Sequence, residues 1–225
     1  MITLKYVKQE ALIYVSHIDL LRHVERTLRR ADLPVAYSQG YNPHMLVNLG
    51  ITLPLGVASE AEYLTVDVDV DPRTFLAKYN RSAHDGLRGL TCWRVPKNPN
   101  LAGTVVAADY RMAAPLGDKA RAVQGLTART EYVIPYPTKK DAAATKDVAP
   151  LIYALQADAN GVSVCMAAGN TTVRPQVLAD AIGAEFGVEF APESILRRHQ
   201  YVRREGVLYD VDKMLGEIAE DSAHV

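Results

Sequence analysis

At 225 residues, 48% hydrophobic and 23% charged, the chain has room for one large domain or two small ones, and no apolar run in it is long enough to span a bilayer. A net charge of −1 gives no overall field for nucleic acid, so DNA is not expected as a partner and any RNA contact has to come from local patches. Two cysteines, Cys92 and Cys165, are too few for a disulfide framework, a zinc ribbon or an iron–sulfur cluster, and no cofactor is expected.

Met1 leads straight into alternating sequence with no signal-peptide pattern, which predicts a cytoplasmic protein without a membrane partner. Ile2, Leu4 and Tyr6 alternate with Thr3 and Lys5 at strand period; Lys8-Gln9-Glu10 is a polar break, and residues 12–15 predict a second extended piece. Ser16 then caps a helix, with Asp19 near capping-box spacing. Ile18, Leu21, Val24, Leu28 and Ala31 form its expected apolar stripe, Arg22, Arg26, Arg29 and Arg30 its basic side, and Pro34 its stop. Gln39-Gly40-Tyr41-Asn42-Pro43-His44 reads as a loop, residues 45–53 as a strand, and Pro54-Leu55-Gly56 as a tight turn. A strand over 62–70, a helix started by Asp71-Pro72 and running to about residue 79, and a strand over 87–95 with the only tryptophan, Trp93, complete the order β-α-β-β-α-β.

That order predicts an α+β fold, with a ferredoxin-like unit over residues 1–97 and a linker over 98–107 marked by Pro96-Lys97-Asn98-Pro99-Asn100. A second, similar α+β unit is expected over 108–210. Its strands are placed at 108–113, 131–136, 148–155, 162–167, 197–204 and 207–209. Its helices are a weak one over 118–127 and one started by Arg174-Pro175, and residues 138–146 read as a mobile loop. Residues 211–225 read as an acidic tail, a frayed helix rather than a site.

Three of the six histidines, His17, His23 and His44, lie in one stretch with Asp19, which invites two chemical readings. His17, Asp19 and His23, with His44 from the loop, are the residue types of a metal site. His17, Tyr37 and His44 beside the helix arginines are those of a metal-independent ribonuclease, with histidine as general base and arginine stabilising the phosphorane. Against both stands the ordinary reading, in which Asp19 caps and His23 is solvated. A third reading is an RNA surface: Arg22, Arg26, Arg29 and Arg30 would bind phosphate, with a second cluster, Arg197, Arg198, Arg203 and Arg204, around His199 and Tyr201. Gln39, Gly40, Tyr41, Asn42, His44 and Gly56 would form a recognition loop, since Gly40 and Gly56 admit conformations that bring N–H groups to an anion. There is no Walker A sequence, Rossmann fingerprint or Gly-x-Ser-x-Gly elbow, so no self-contained catalytic motif supports an enzyme.

Ser16-His17-Ile18-Asp19-Leu20, Leu28-Arg29-Arg30-Ala31, Ala36-Tyr37-Ser38-Gln39-Gly40-Tyr41-Asn42-Pro43-His44 and Leu53-Pro54-Leu55-Gly56, on to Ser59-Glu60-Ala61-Glu62-Tyr63, resemble the bacterial radical SAM-linked protein family. This is a domain of unknown function found beside or fused to radical SAM enzymes. The likeness is dense over residues 1–70 and looser to about 210, through Asp147-Val148-Ala149-Pro150 and Val173-Arg174-Pro175; Tyr41 and Met45 stand where the family usually has Phe and Pro. The resemblance implies a separately encoded radical SAM partner, because this chain lacks the three-cysteine cluster motif. At fold level the layout is also similar to the RNA-processing RAMP proteins of CRISPR systems. The expectation is an accessory or substrate-recognition protein associated with RNA; a histidine-dependent ribonuclease and a pure protein-interaction module are the alternatives.

Overall fold

A computed structural model describes residues 1–223 of the chain. Strand β1 (Ile2–Lys8) forms where the alternation predicts it, with Ile2, Leu4 and Tyr6 on one face and fully buried. Residues 10–14 depart from expectation and make a 3₁₀ turn rather than a strand. The reason is that Leu12 and Ile13 are neighbours and both buried, which a strand of period 2 cannot place on one face but a tight turn can.

Helix α1 (His17–Arg30) begins at Ser16, whose hydroxyl oxygen accepts the Asp19 N–H at 3.2 Å. Its buried stripe is Leu20, Val24, Thr27, Leu28 and Ala31, so the phase is shifted from the expected one and Ile18 is 64% exposed. Thr27 is tolerated inside because its hydroxyl donates to the His23 carbonyl at 2.9 Å. Strand β2 is short (Val47–Leu49), β3 is long (Ala58–Val66), and α2 (Pro72–Ser82) starts at Asp71, whose carboxylate accepts the Thr74 N–H at 3.0 Å. Strand β4 follows (Gly89–Arg94).

The expected linker is structured. Asn100 adopts a left-handed backbone and opens a short helix, α3 (Leu101–Thr104), which runs directly into β5 (Val105–Ala113), with Leu101 and Val105 buried. Next come α4 (Ala120–Gln124) and the two-stranded pair β6 (Val133–Pro135) and β7 (Thr145–Asp147). The hairpin of β8 (Ile152–Asp158) and β9 (Gly161–Ala167) turns beside Gly161, where φ is +143° and a Cβ would meet the Met112 carbonyl at 2.1 Å. Helix α5 (Pro175–Phe186), β10 (Ile195–Arg204) and β11 (Val207–Asp210) match their sequence signals, and Glu205 and Gly206, both at positive φ, turn the last pair. Residues 211–223, expected to fray, form α6 (Val211–Ala223). It is docked: Val211 and Leu215 are fully buried, and Asp212 accepts from the Tyr63 hydroxyl at 2.7 Å and from Lys5.

The expected pair of separate sheets is instead one nine-stranded mixed sheet in the order β4-β1-β3-β10-β5-β9-β8, with β2 also on β3 and β11 on β10. Every pairing is antiparallel except β3 with β10, which run parallel at Ala58 and Ser59 against Leu196 and Arg197. One core lies between the first strands and helices α1 and α2, around Leu4, Val24, Leu28, Leu64, Phe75 and Tyr79. The larger core reaches from Val57 and Tyr63 to Met112, Leu178 and Ile182, crossing the middle of the chain. No helix among the described residues is long and apolar enough to cross a membrane.

Candidate functional site

One edge of β3 is filled by β1, and two strands share the other: β10 at residues 58–59 and β2 at 64–66. Between β2 and β10 the sheet divides, and a cleft of about 510 Å³ opens at the division, a volume suited to a ligand of nucleotide size. One wall comes from His17 and Leu21 of α1 and from Val47, Leu49, Gly50, Ile51, Thr52 and Pro54. The other comes from Tyr110 of β5, the turn 168–170, and Thr172, Arg174 and Pro175 at the start of α5. No Asp or Glu lines it.

Two helices begin on this cleft, since His17 is the first residue of α1 and Pro175 the first of α5. Each contributes the partial positive charge of a helix N-terminus. At α1 that charge is already answered: Ser16 caps it, and Asp19 is ionised beside it, its carboxyl held low by the Ser16 hydroxyl and by Arg22. At α5 there is no side-chain cap; Pro175 has no N–H and the Arg174 N–H goes to the Tyr136 hydroxyl, so the donors left at this end are the Gln176 and Val177 N–H groups.

Beneath the cleft lies a buried ionic group. Arg197 is wholly excluded from solvent and pairs with Glu62; its Nε donates to Oε1 at 3.1 Å, its Nη2 also donates to the Ile51 carbonyl, and its Nη1 has no hydrogen-bond partner among the described residues. Tyr110, 4% exposed, carries a phenol whose ionisation burial suppresses and the facing Arg197 charge favours. Lys8, also buried, donates to the Val15 carbonyl at 2.9 Å, and burial lowers its pKa. The Arg197 charge is thus balanced by Glu62, and the group behind the cleft ties the strands together rather than adding net charge to the floor.

Of the residues singled out in the sequence, only His17 lines this cleft. Residues 39–44 project as an exposed loop: Tyr41 is fully in solvent, Gln39 and Asn42 are exposed, and Gly40 has φ +123°. His44 is tied within that loop, its Nδ1 2.8 Å from the Ser38 hydroxyl, and exposed Tyr37 bridges to Met45 at the loop base. Gly56 sits elsewhere, buried, its N–H on the Ile13 carbonyl at 3.1 Å. The arginine stripe is largely engaged on its own surface: Arg22 with Asp19 at 2.9 Å, Arg29 with Glu25 at 3.5 Å, and Arg30 with the Ser82 carbonyl at 2.9 Å. Arg26 alone of the four has no partner among the described residues. Nor do His17, Asp19 and His23 form a metal site, for no group of three or more His, Cys, Asp or Glu among the described residues is placed to hold an ion.

Sequence reasoning missed Arg174, Tyr110 and the partner of Arg197: expected on an RNA surface with Arg198, Arg203 and Arg204, Arg197 is instead fully buried against Glu62. Glu62 carried a readable signal, since it falls in phase with Leu64 and Val66 on the buried face of β3, where a lone carboxylate requires a partner.

A family model described as an uncharacterised protein conserved in bacteria (DUF2344) matches residues 1–176, a span that takes in both walls of the cleft from His17 to Pro175. No curated protein matches the chain.

Proposed function

We propose, for a chain that belongs to the uncharacterised bacterial family DUF2344, that the cleft binds the phosphate backbone of RNA and that the protein is a cytoplasmic substrate-recognition subunit for a separately encoded radical SAM enzyme. One observation carries the binding half: a cleft with Arg174, His17 and the uncapped end of α5 has no carboxylate in its lining. The partner half rests on the motif resemblance and on the two cysteines, too few for a cluster on this chain. Residues 1–97 are read as a ferredoxin-like platform for this site, a reading supported by the antiparallel order β4-β1-β3-β2.

Binding is favoured over cleavage because the cleft holds a single histidine and no carboxylate, His44 is not in its lining, and the one phenol there, Tyr110, is buried against Arg197 with its ionisation suppressed by burial. General acid–base cleavage requires two proton-transfer groups within reach of one phosphate. The protein-interaction alternative draws on Tyr14, Ile18 and Leu55, large apolar side chains left exposed on neighbouring segments, and these are a docking face for the enzyme partner.

Fluorescence anisotropy with labelled single-stranded RNA at about 50 mM salt tests the reading. Replacing Arg174 with Glu together with His17→Ala weakens binding by about tenfold or more, while Arg22→Glu with Arg26→Glu has a smaller effect. If the wild type binds no RNA at that salt, the reading fails; if the Arg22/Arg26 variant alone loses binding, RNA runs along α1 and not through the cleft. Intact RNA after incubation in EDTA separates a binder from a ribonuclease, and co-purification with the neighbouring gene's product tests the partner.

A further inference from the structure

The stretch 138–146, expected to be a mobile loop, is the tip of the β6–β7 hairpin with the first two residues of β7, and this hairpin is fastened to the lip of the cleft. Tyr136 is the fastening point: its hydroxyl accepts the Arg174 N–H at 3.1 Å and donates to the Thr172 carbonyl at 3.3 Å. The Arg174 guanidinium lies 4.3 Å from the centre of the Tyr136 ring and donates to the Pro137 carbonyl at 2.7 Å. Lys146 lies 4.9 Å from the same ring and donates to the Thr172 carbonyl at 2.8 Å. Both residues that receive the hairpin, Thr172 and Arg174, line the cleft.

The hairpin therefore extends the cleft wall with a charge of its own. Lys139 and Lys140 stand exposed at the tip, and neither makes a hydrogen bond or ion pair with any described residue. Of the nearby carboxylates, half-buried Asp147 accepts the N–H groups of Tyr132 and Ala149, and Asp141, exposed at the tip, accepts the Ala143 N–H at 2.9 Å and makes no ion pair with either lysine. Lys139 and Lys140 follow Tyr136 by three and four residues, in the turn that the Thr138 N–H closes on the Asp141 carbonyl at 2.8 Å. Cations at two places, Arg174 on the cleft wall and the lysines at the tip, match a ligand that carries several phosphates along a chain.

We infer that the β6–β7 hairpin is the second half of the ligand site and that the ligand is a single-stranded RNA several nucleotides long, one phosphate seated at Arg174 and the next ones running along Lys139 and Lys140. This rests on the RNA reading of the cleft and deepens it by adding a second contact surface and the length of strand that reaches it. A cleft of about 510 Å³ has the volume of about one nucleotide, which suits a single strand entering it one residue at a time.

The test compares a single-stranded 12-nucleotide RNA (about a dozen phosphates, each a site of counterion release) with a mononucleotide, on wild type, Lys139→Gln/Lys140→Gln and Arg174→Gln. The double lysine variant is expected to bind the RNA about tenfold more weakly, with a salt slope shallower by about 1.4, the value for two phosphate contacts to a single strand, and to bind the mononucleotide unchanged. The Arg174 variant weakens both ligands. RNA affinity and slope unaltered by the lysine changes overturn the hairpin's role and leave the cleft reading standing. Absence of RNA binding by wild type overturns both, and equal loss of mononucleotide and RNA binding in the lysine variant overturns the division of labour between cleft and hairpin.

Discussion

Glu62 and Arg197, 135 positions apart in sequence, meet as a buried ion pair where β3 and β10 run parallel, and the pair ties the two halves of the sheet together beneath the cleft. Taking both charges out of water costs as much as their attraction returns, so the pair itself adds little; removing one partner strands the other. Glu62→Ala is expected to destabilise the protein by about 3–5 kcal/mol, and Glu62→Met with Arg197→Met to recover most of that loss. Urea denaturation of both variants decides: a double variant as unstable as the single would mean that packing, not charge, sets the cost.

Asp212 fastens α6 to the sheet through Tyr63 and Lys5, and the Lys5 side chain is only 12% exposed. Replacing Asp212 with Ala leaves the Tyr63 hydroxyl without its acceptor and Lys5 without its counter-charge. The expected loss is about 1.5–3 kcal/mol, as for a hydrogen bond to a charged group. Limited proteolysis should then cut within residues 211–223, and a digestion pattern matching wild type would show that Val211 and Leu215 hold the helix unaided.

Neither cysteine is built to be reactive. Burial pushes the Cys92 thiol up to about 11, and burial with Asp109 beside it pushes Cys165 up to about 12. Since the thiolate is the nucleophile, both thiols are protonated at neutral pH and alkylate slowly in the native protein. Mass spectrometry after iodoacetamide treatment at about pH 8, against a model-peptide thiol near 8.5, should find two slow sites that become fast in urea. Fast native labelling of either would contradict the burial.

The parts of this fold legible in the sequence are those set by neighbours along the chain. Ser16 and Asp71-Pro72 announce α1 and α2, Arg174-Pro175 announces α5, and Glu205-Gly206 turns β10 into β11. What the sequence withheld depends on which strand edges meet. Nothing local tells Ser59 that its partner is Arg197, so two units were expected where one sheet forms, and the cleft at its division was invisible. The phase of α1 misled for a related reason: Ile18 is apolar yet exposed, and Thr27 is polar yet buried by a bond to its own helix. His17 was singled out as a candidate catalytic group and does line the cleft, but Arg174, read only as a helix start, supplies its charge.

Acid should reveal the cap of α2. The Thr74 N–H holds the Asp71 carboxyl below its ordinary value near 3.8. A carboxylate whose folded pKa lies below its unfolded one stabilises the fold above the unfolded value and loses that contribution as pH falls through the folded one. Asp71→Asn keeps an acceptor at the cap but does not titrate. It is therefore expected to match wild type closely at pH 7 and to lose less stability on going from about pH 5 to pH 2. Urea midpoints at the two ends of that range measure it. An acid loss in the variant equal to wild type would assign the acid sensitivity to other carboxylates, of which Asp158, held low by Arg111, and Glu185, held low by Arg129, are the next to replace.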